Sequence, residues 1–107
     1  MRRTQVWILL LAAGLSCRSP AARAETIEIT IQNLVFAPTD ARAKVGDTVT
    51  WINKDVLAHT ATARNGDFDV TIAPGKTATR VIKKAGDVEY YCRFHPNMVA
   101  RLSASPD

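Results

Sequence analysis

Gly86-Asp87-Val88-Glu89-Tyr90-Tyr91-Cys92-Arg93-Phe94-His95-Pro96-Asn97-Met98 carries most of the information in this chain. Its first half reads as an extended strand, along which Val88, Tyr90 and Cys92 share one face, the inward one. Its second half sets a thiol, an imidazole and a thioether three residues apart, at Cys92, His95 and Met98. Each of these groups binds soft transition metals. Proline removes a backbone donor, so Pro96 is expected to stop sheet pairing and force a compact loop that folds His95 and Met98 back toward Cys92. A second histidine, His59, has to arrive from a distant loop, held by the core rather than by the local chain.

Upstream of this stretch the pattern is β throughout. Thr26–Ile31 alternates, with Ile27, Ile29 and Ile31 on one face. Leu34–Phe36 is a short apolar piece before Pro38, and Arg42–Val45 leads into a Gly46-Asp47 turn. Thr48–Asn53 is rich in β-branched residues and carries Trp51 as a core anchor. Thr60–Ala63 and Phe68–Ile72 flank Asn65-Gly66, a tight-turn dipeptide. Pro74-Gly75 predicts a type II turn, Thr77–Lys83 alternates again, and Gly86-Asp87 is a further turn signal. Val99–Ser103 closes the chain. Seven or eight short strands without a helical stripe predict a small all-β, antiparallel sandwich.

The first residues read differently. Arg2 and Arg3 precede an apolar run from Val6 to Leu15, and Ala22-Arg23-Ala24 fits the small-x-small rule for signal cleavage. The run is too short to span a bilayer as a permanent helix. Residues 1–24 are therefore expected to be an export signal, with Glu25 opening a single domain over 25–107. Gly14-Leu15-Ser16-Cys17 also resembles a bacterial lipoprotein signal, which would make Cys17 a lipid-bearing N-terminus. Paired arginines leave the choice between general and twin-arginine export open.

Removing the leader changes the charge. The chain has 107 residues, fourteen basic and ten acidic. Arg2, Arg3, Arg18 and Arg23 leave with the leader, so the mature segment is balanced at ten of each. Its basic precursor pI thus says nothing about nucleic acid or anionic membranes. The mature segment keeps one cysteine, two histidines and one methionine, and all four belong to the proposed site.

His₂Cys with a weak axial methionine is the donor set of blue-copper electron-transfer centres. Zinc accepts cysteine and histidine, but methionine is an unusual fourth donor for it. Four protein donors leave no position for substrate or bound water, which argues against metal-assisted hydrolysis. An oxidase or nitrite reductase needs a second copper site, and no further histidines exist to build one. No enzyme is expected.

These residues resemble the cupredoxins, most closely the amicyanin-type ligand loop C-x-x-H-x-x-M, which Cys92, His95 and Met98 fit without a gap. Val49-Thr50-Trp51-Ile52-Asn53 followed by Ala58-His59 is similar to the family's first-histidine region. The resemblance implies an eight-stranded Greek-key β-sandwich with one type 1 copper near one end. His59, Cys92 and His95 would be its equatorial ligands and Met98 its axial one. It also implies one-electron transfer, between Cu(I) and Cu(II), among exported redox partners such as a dehydrogenase or a c-type cytochrome. A periplasmic monomer is expected. A copper carrier without an electron-transfer role is the alternative that the donors leave open.

Two departures from the family pattern carry their own expectations. Thr60 stands where the residue after the first histidine is often Asn, and it reaches less far. Phe94 stands where amicyanins often have proline, and its N–H is free to point at the Cys92 sulfur and raise the potential. Phe94, Pro96 and Leu57 are expected to form an apolar collar around His95. Lys54, Asp55, Arg64, Lys83, Lys84 and Arg93 read as solvated surface.

Overall fold

The structure is a computed structural model that describes residues 23–107, with Thr4 and Gly14 besides. The remainder of the expected leader, Cys17 included, lies outside the described residues. Among these residues no helix is long and apolar enough to cross a membrane.

Among the described residues nine strands form two facing sheets: β1 (Thr26–Gln32), β2 (Val35–Ala37), β3 (Asp40–Lys44), β4 (Thr48–Asn53), β5 (His59–Ala63), β6 (Asp69–Ile72), β7 (Thr77–Val81), β8 (Gly86–Cys92) and β9 (His95–Ser105). One sheet runs β2-β1-β4-β7 and the other β3-β9-β8-β5-β6. The non-consecutive order records a chain that crosses repeatedly between sheets. Most neighbours are antiparallel, as the sequence predicts. These crossings also make two pairs parallel, β1 with β4 and β3 with β9.

Alternation dictates the core. Ile29, Ile31, Phe36, Val49 and Trp51 from one sheet meet Ala61, Ile72, Tyr90, Ala100 and Leu102 from the other. Phe36 meets Tyr90 edge-on at 4.8 Å, and Trp51 meets Tyr90 at 5.8 Å. Edge-to-face packing of this kind adds about 0.5–1.5 kcal/mol per pair beyond area burial. The Trp51 indole nitrogen and the Tyr90 hydroxyl are buried and find no hydrogen-bond partner among the described residues.

Turn chemistry follows the sequence in most places. Gly75 has φ 69°, and the Lys76 N–H donates to the Ala73 carbonyl at 3.0 Å, the type II turn that Pro74-Gly75 predicts. Gly86-Asp87, read as a turn, instead opens β8, with Gly86 at φ 130° opposite Ala104.

The larger correction concerns Pro96. It interrupts the pairing, as expected, but does not end the strand: β9 begins at His95 and runs through it. Tyr91 faces Val99, yet the next residue, Cys92, faces His95. Pro96, Asn97 and Met98 are thus extra residues on β9, a bulge that needs no ladder donor from the proline. The connection between β8 and β9 shrinks to Arg93 and Phe94.

Candidate metal centre

Three strand ends meet at one pole of the sandwich. Cys92 is the last residue of β8, His95 the first of β9 and His59 the first of β5. The Cys92 sulfur lies 3.8 Å from His59 Nδ1 and 3.7 Å from His95 Nδ1. One donor atom from each of these residues falls within 4.8 Å of the others, a grouping able to hold a metal ion. Cys92 and His59 are fully buried, whereas His95 is half-buried. The two imidazole rings are 5.1 Å apart. Met98, the fourth donor expected from the sequence, is buried and lies in the β9 bulge.

The sulfur also accepts a backbone hydrogen bond. It comes from the Thr60 N–H, at 3.3 Å, rather than from Phe94, as the sequence suggested. The reason is topological: β5 runs beside β8, and this brings the residue after His59 against the Cys92 side chain. Thr60 does more than its short side chain implies. Its hydroxyl accepts the Arg93 N–H at 2.8 Å and meets the Thr62 hydroxyl at 3.0 Å. Thr62 in turn donates to Asp69 at 2.7 Å, and Asp69 takes the Arg93 side chain at 3.3 Å. One polar chain thus ties the first-histidine strand to the cysteine-histidine turn.

Asp55, read from sequence as solvated surface, is a structural hub. Its carboxylate accepts the N–H groups of Asn33 and Leu34 at 2.7 and 3.0 Å. Both residues have positive φ, 54° and 63°, a conformation that is costly for leucine. The same carboxylate lies 2.8 Å from His59 Nε2. A carboxylate there fixes the tautomer with hydrogen on Nε2 and leaves Nδ1, the nitrogen facing Cys92, free to bind metal. The Leu34 amide, followed by the Asn33 amide and His59, holds the Asp55 carboxyl below its ordinary range against the opposing effect of burial.

Asn53 was also missed. It is buried, and its side-chain amide donates to the carbonyls of Leu57, Ile72 and Ala73 at 2.8, 3.1 and 3.3 Å. Its carbonyl oxygen accepts the Asp55 N–H at 2.9 Å. Asn53 therefore braces the loop that delivers His59. The i, i+4 spacing of Asp55 and His59 is the one local signal that could have exposed this arrangement.

A family model, the Cupredoxin-like domain, matches residues 5–103. The chain is a cupredoxin. It is 30% identical over 96 residues to the methylamine utilization protein MauL of Methylorubrum extorquens, covering 86% of this chain and 84% of that one. It is 29% identical over 100 residues to amicyanin of Paracoccus denitrificans, covering 84% and 76%. Among solved structures, the purple cupredoxin of Nitrosopumilus maritimus superposes with a TM-score of 0.66 at 29% identity, covering 74% of this chain and 99% of that one. The cupredoxin fold and a cluster of one thiol and two imidazoles fit one type 1 copper ion.

Proposed function

We propose that this cupredoxin is a one-electron carrier whose copper is held by His59 Nδ1, Cys92 Sγ, His95 Nδ1 and the Met98 thioether. The observation that supports it is the pair of imidazole nitrogens at 3.8 and 3.7 Å from a single buried sulfur. When bound, copper supplies the Cu(I)/Cu(II) couple. The chain supplies the rest. Cys92 gives an anionic donor, and the Thr60 N–H steadies its charge. Asp55 and the Asn53 brace fix the His59 ring, while the Thr60–Arg93 bond fixes the turn leading to His95. Donors set on neighbouring strands of one sheet, backed by the core, move little when the charge of the site changes, which keeps rearrangement small.

His95 is the proposed electron exit, because it alone of the three clustered donors reaches the surface. Phe94 and Leu57 are each about half exposed, at 51% and 49%, and Val56 stands out at 89%. An apolar rim of this size suits small, transient contacts with redox proteins such as a dehydrogenase or a c-type cytochrome. Arg93, in the turn, is the charged residue proposed to orient such a partner. The working form is a periplasmic monomer comprising residues 25–107, released from an export signal over 1–24; an anchor through Cys17 is the competing form. The chain is not proposed to be an enzyme.

The test is the visible spectrum of the Cu(II)-loaded protein together with its voltammetry. A thiolate-to-copper charge-transfer band with a reversible wave supports the carrier of electrons. A colourless protein that takes up Cu(I) alone supports a carrier of copper instead.

A further inference from the structure

Asp47 sits at the pole opposite the metal centre, in the tight connection between β3 and β4. It is 1% exposed, yet it carries a carboxylate. Both oxygens are engaged: Oδ2 accepts the Lys44 N–H at 2.8 Å, and Oδ1 accepts the Glu25 N–H, also at 2.8 Å. The first bond closes the turn. The second reaches 22 residues back along the chain, to the residue at which the mature protein is proposed to begin. Glu25 is held on its other side as well, where its carbonyl accepts the Thr48 N–H at 2.9 Å.

We propose that Asp47 is a receptor for the mature N-terminus: cleavage between Ala24 and Glu25 converts the nitrogen it already holds into an α-ammonium, and the hydrogen bond becomes a part-buried ion pair. The inference rests on the cleavage position proposed above. The bond that breaks is the Ala24–Glu25 peptide bond, and water supplies the hydroxyl for the Ala24 carboxylate and the proton for the Glu25 amine. The α-amine is mostly protonated at neutral pH even without a partner. The carboxylate already makes this bond charge-assisted, and cleavage adds a full positive charge on the donor. Lys44 adds a second positive charge near the same carboxylate, and two hydrogen-bond donors already lower its pKa, first Glu25 and then Lys44.

The arrangement has a consequence for export. The uncleaved precursor holds Asp47 with a neutral amide, so part of the stability of the fold becomes available only after the leader is removed. The complete sandwich, β1 to β9, lies within residues 26–105, so the processed chain retains every strand. A chain anchored through Cys17 keeps residues 18–24 attached and forgoes the ion pair.

The experiment is a double-mutant cycle on copper-loaded protein. One axis is the N-terminus, free at Glu25 or extended by the natural Arg23-Ala24. The other is the parent side chain against Asp47→Asn. Because the side-chain carbonyl of the Asp47→Asn variant can still accept one N–H, the cycle isolates the charge. With Asp47, the free N-terminus is expected to raise the folding equilibrium constant roughly tenfold over the extended form, whereas in the Asp47→Asn background the two forms are expected to coincide. Equal stabilities with Asp47, or an equal gain in the Asp47→Asn background, would overturn the proposal. Should Asp47→Asn fold poorly, acetylating the free Glu25 amine gives the same comparison without a mutation. The intact mass of the exported protein reports the cleavage position separately, so a different N-terminus and an absent ion pair are distinguishable results.

Discussion

The Thr60 amide points at the Cys92 sulfur from 3.3 Å, while the Thr60 hydroxyl receives the amide of Arg93, the residue directly after that cysteine. One residue thereby addresses the metal-binding sulfur and the turn that follows it. The two bonds come from different atoms, so they separate by mutation. Thr60→Ala keeps the sulfur bond and removes a part-buried hydrogen bond to the Arg93 amide, which costs about 0.5–1.5 kcal/mol. Thr60→Ser restores the hydroxyl and most of the stability. Chemical denaturation of the three copper-loaded proteins checks this order.

Asp55→Ala removes the acceptor for His59 Nε2 and for two amides of a turn with positive φ. Partners of this kind typically contribute 10–100-fold in metal affinity. Copper affinity is therefore expected to fall by about that factor, with the overall fold retained. Competition against a chelator of known affinity measures it. Unchanged affinity would show that His59 is positioned by the core alone.

Burial pushes the Tyr90 phenol up from an ordinary 10.0 to about 12. A folded-state value above the unfolded one means that the stability tied to this group is complete below pH 10 and is lost as pH rises toward 12. Tyr90→Phe removes both that loss and a hydroxyl without a partner. At pH 7 the variant is expected to be as stable as the parent, or more stable by about 1 kcal/mol. Its advantage grows between pH 10 and 12. Urea unfolding across that interval is the measurement.

Met98→Leu conserves volume at a buried position, so stability is expected to change by less than about 1.5 kcal/mol. The axial donor tunes the potential of such centres, and loss of the thioether is expected to raise it while the blue colour persists. Voltammetry and the visible spectrum of one sample settle both halves. An unaltered potential would place Met98 in the packing rather than at the copper.

Much of this molecule can be read along its chain. The inward face of β8, the Trp51 anchor, the type II turn at Pro74-Gly75 and the convergence of His59, Cys92 and His95 all follow from period-two alternation, turn chemistry and donor type. What escaped depends on contacts between distant segments. Asp55 looks like any surface acid until the Asn33-Leu34 turn and His59 close around it. Asn53 looks like the end of a strand until Ile72 and Ala73 present carbonyls to it. The Pro96 error has a different origin. Proline forbids a donor but not extended backbone, so a bulge can carry it inside β9 where the sequence rule predicts a stop.

The most direct test of the copper assignment is the absorption spectrum of the Cu(II)-loaded protein beside that of Cys92→Ser. The intense visible charge-transfer band is expected in the parent and absent from the variant, whose oxygen donor lacks the sulfur orbital that produces it. A parent without the band, or a variant that keeps it, would contradict a centre built on Cys92, His59 and His95.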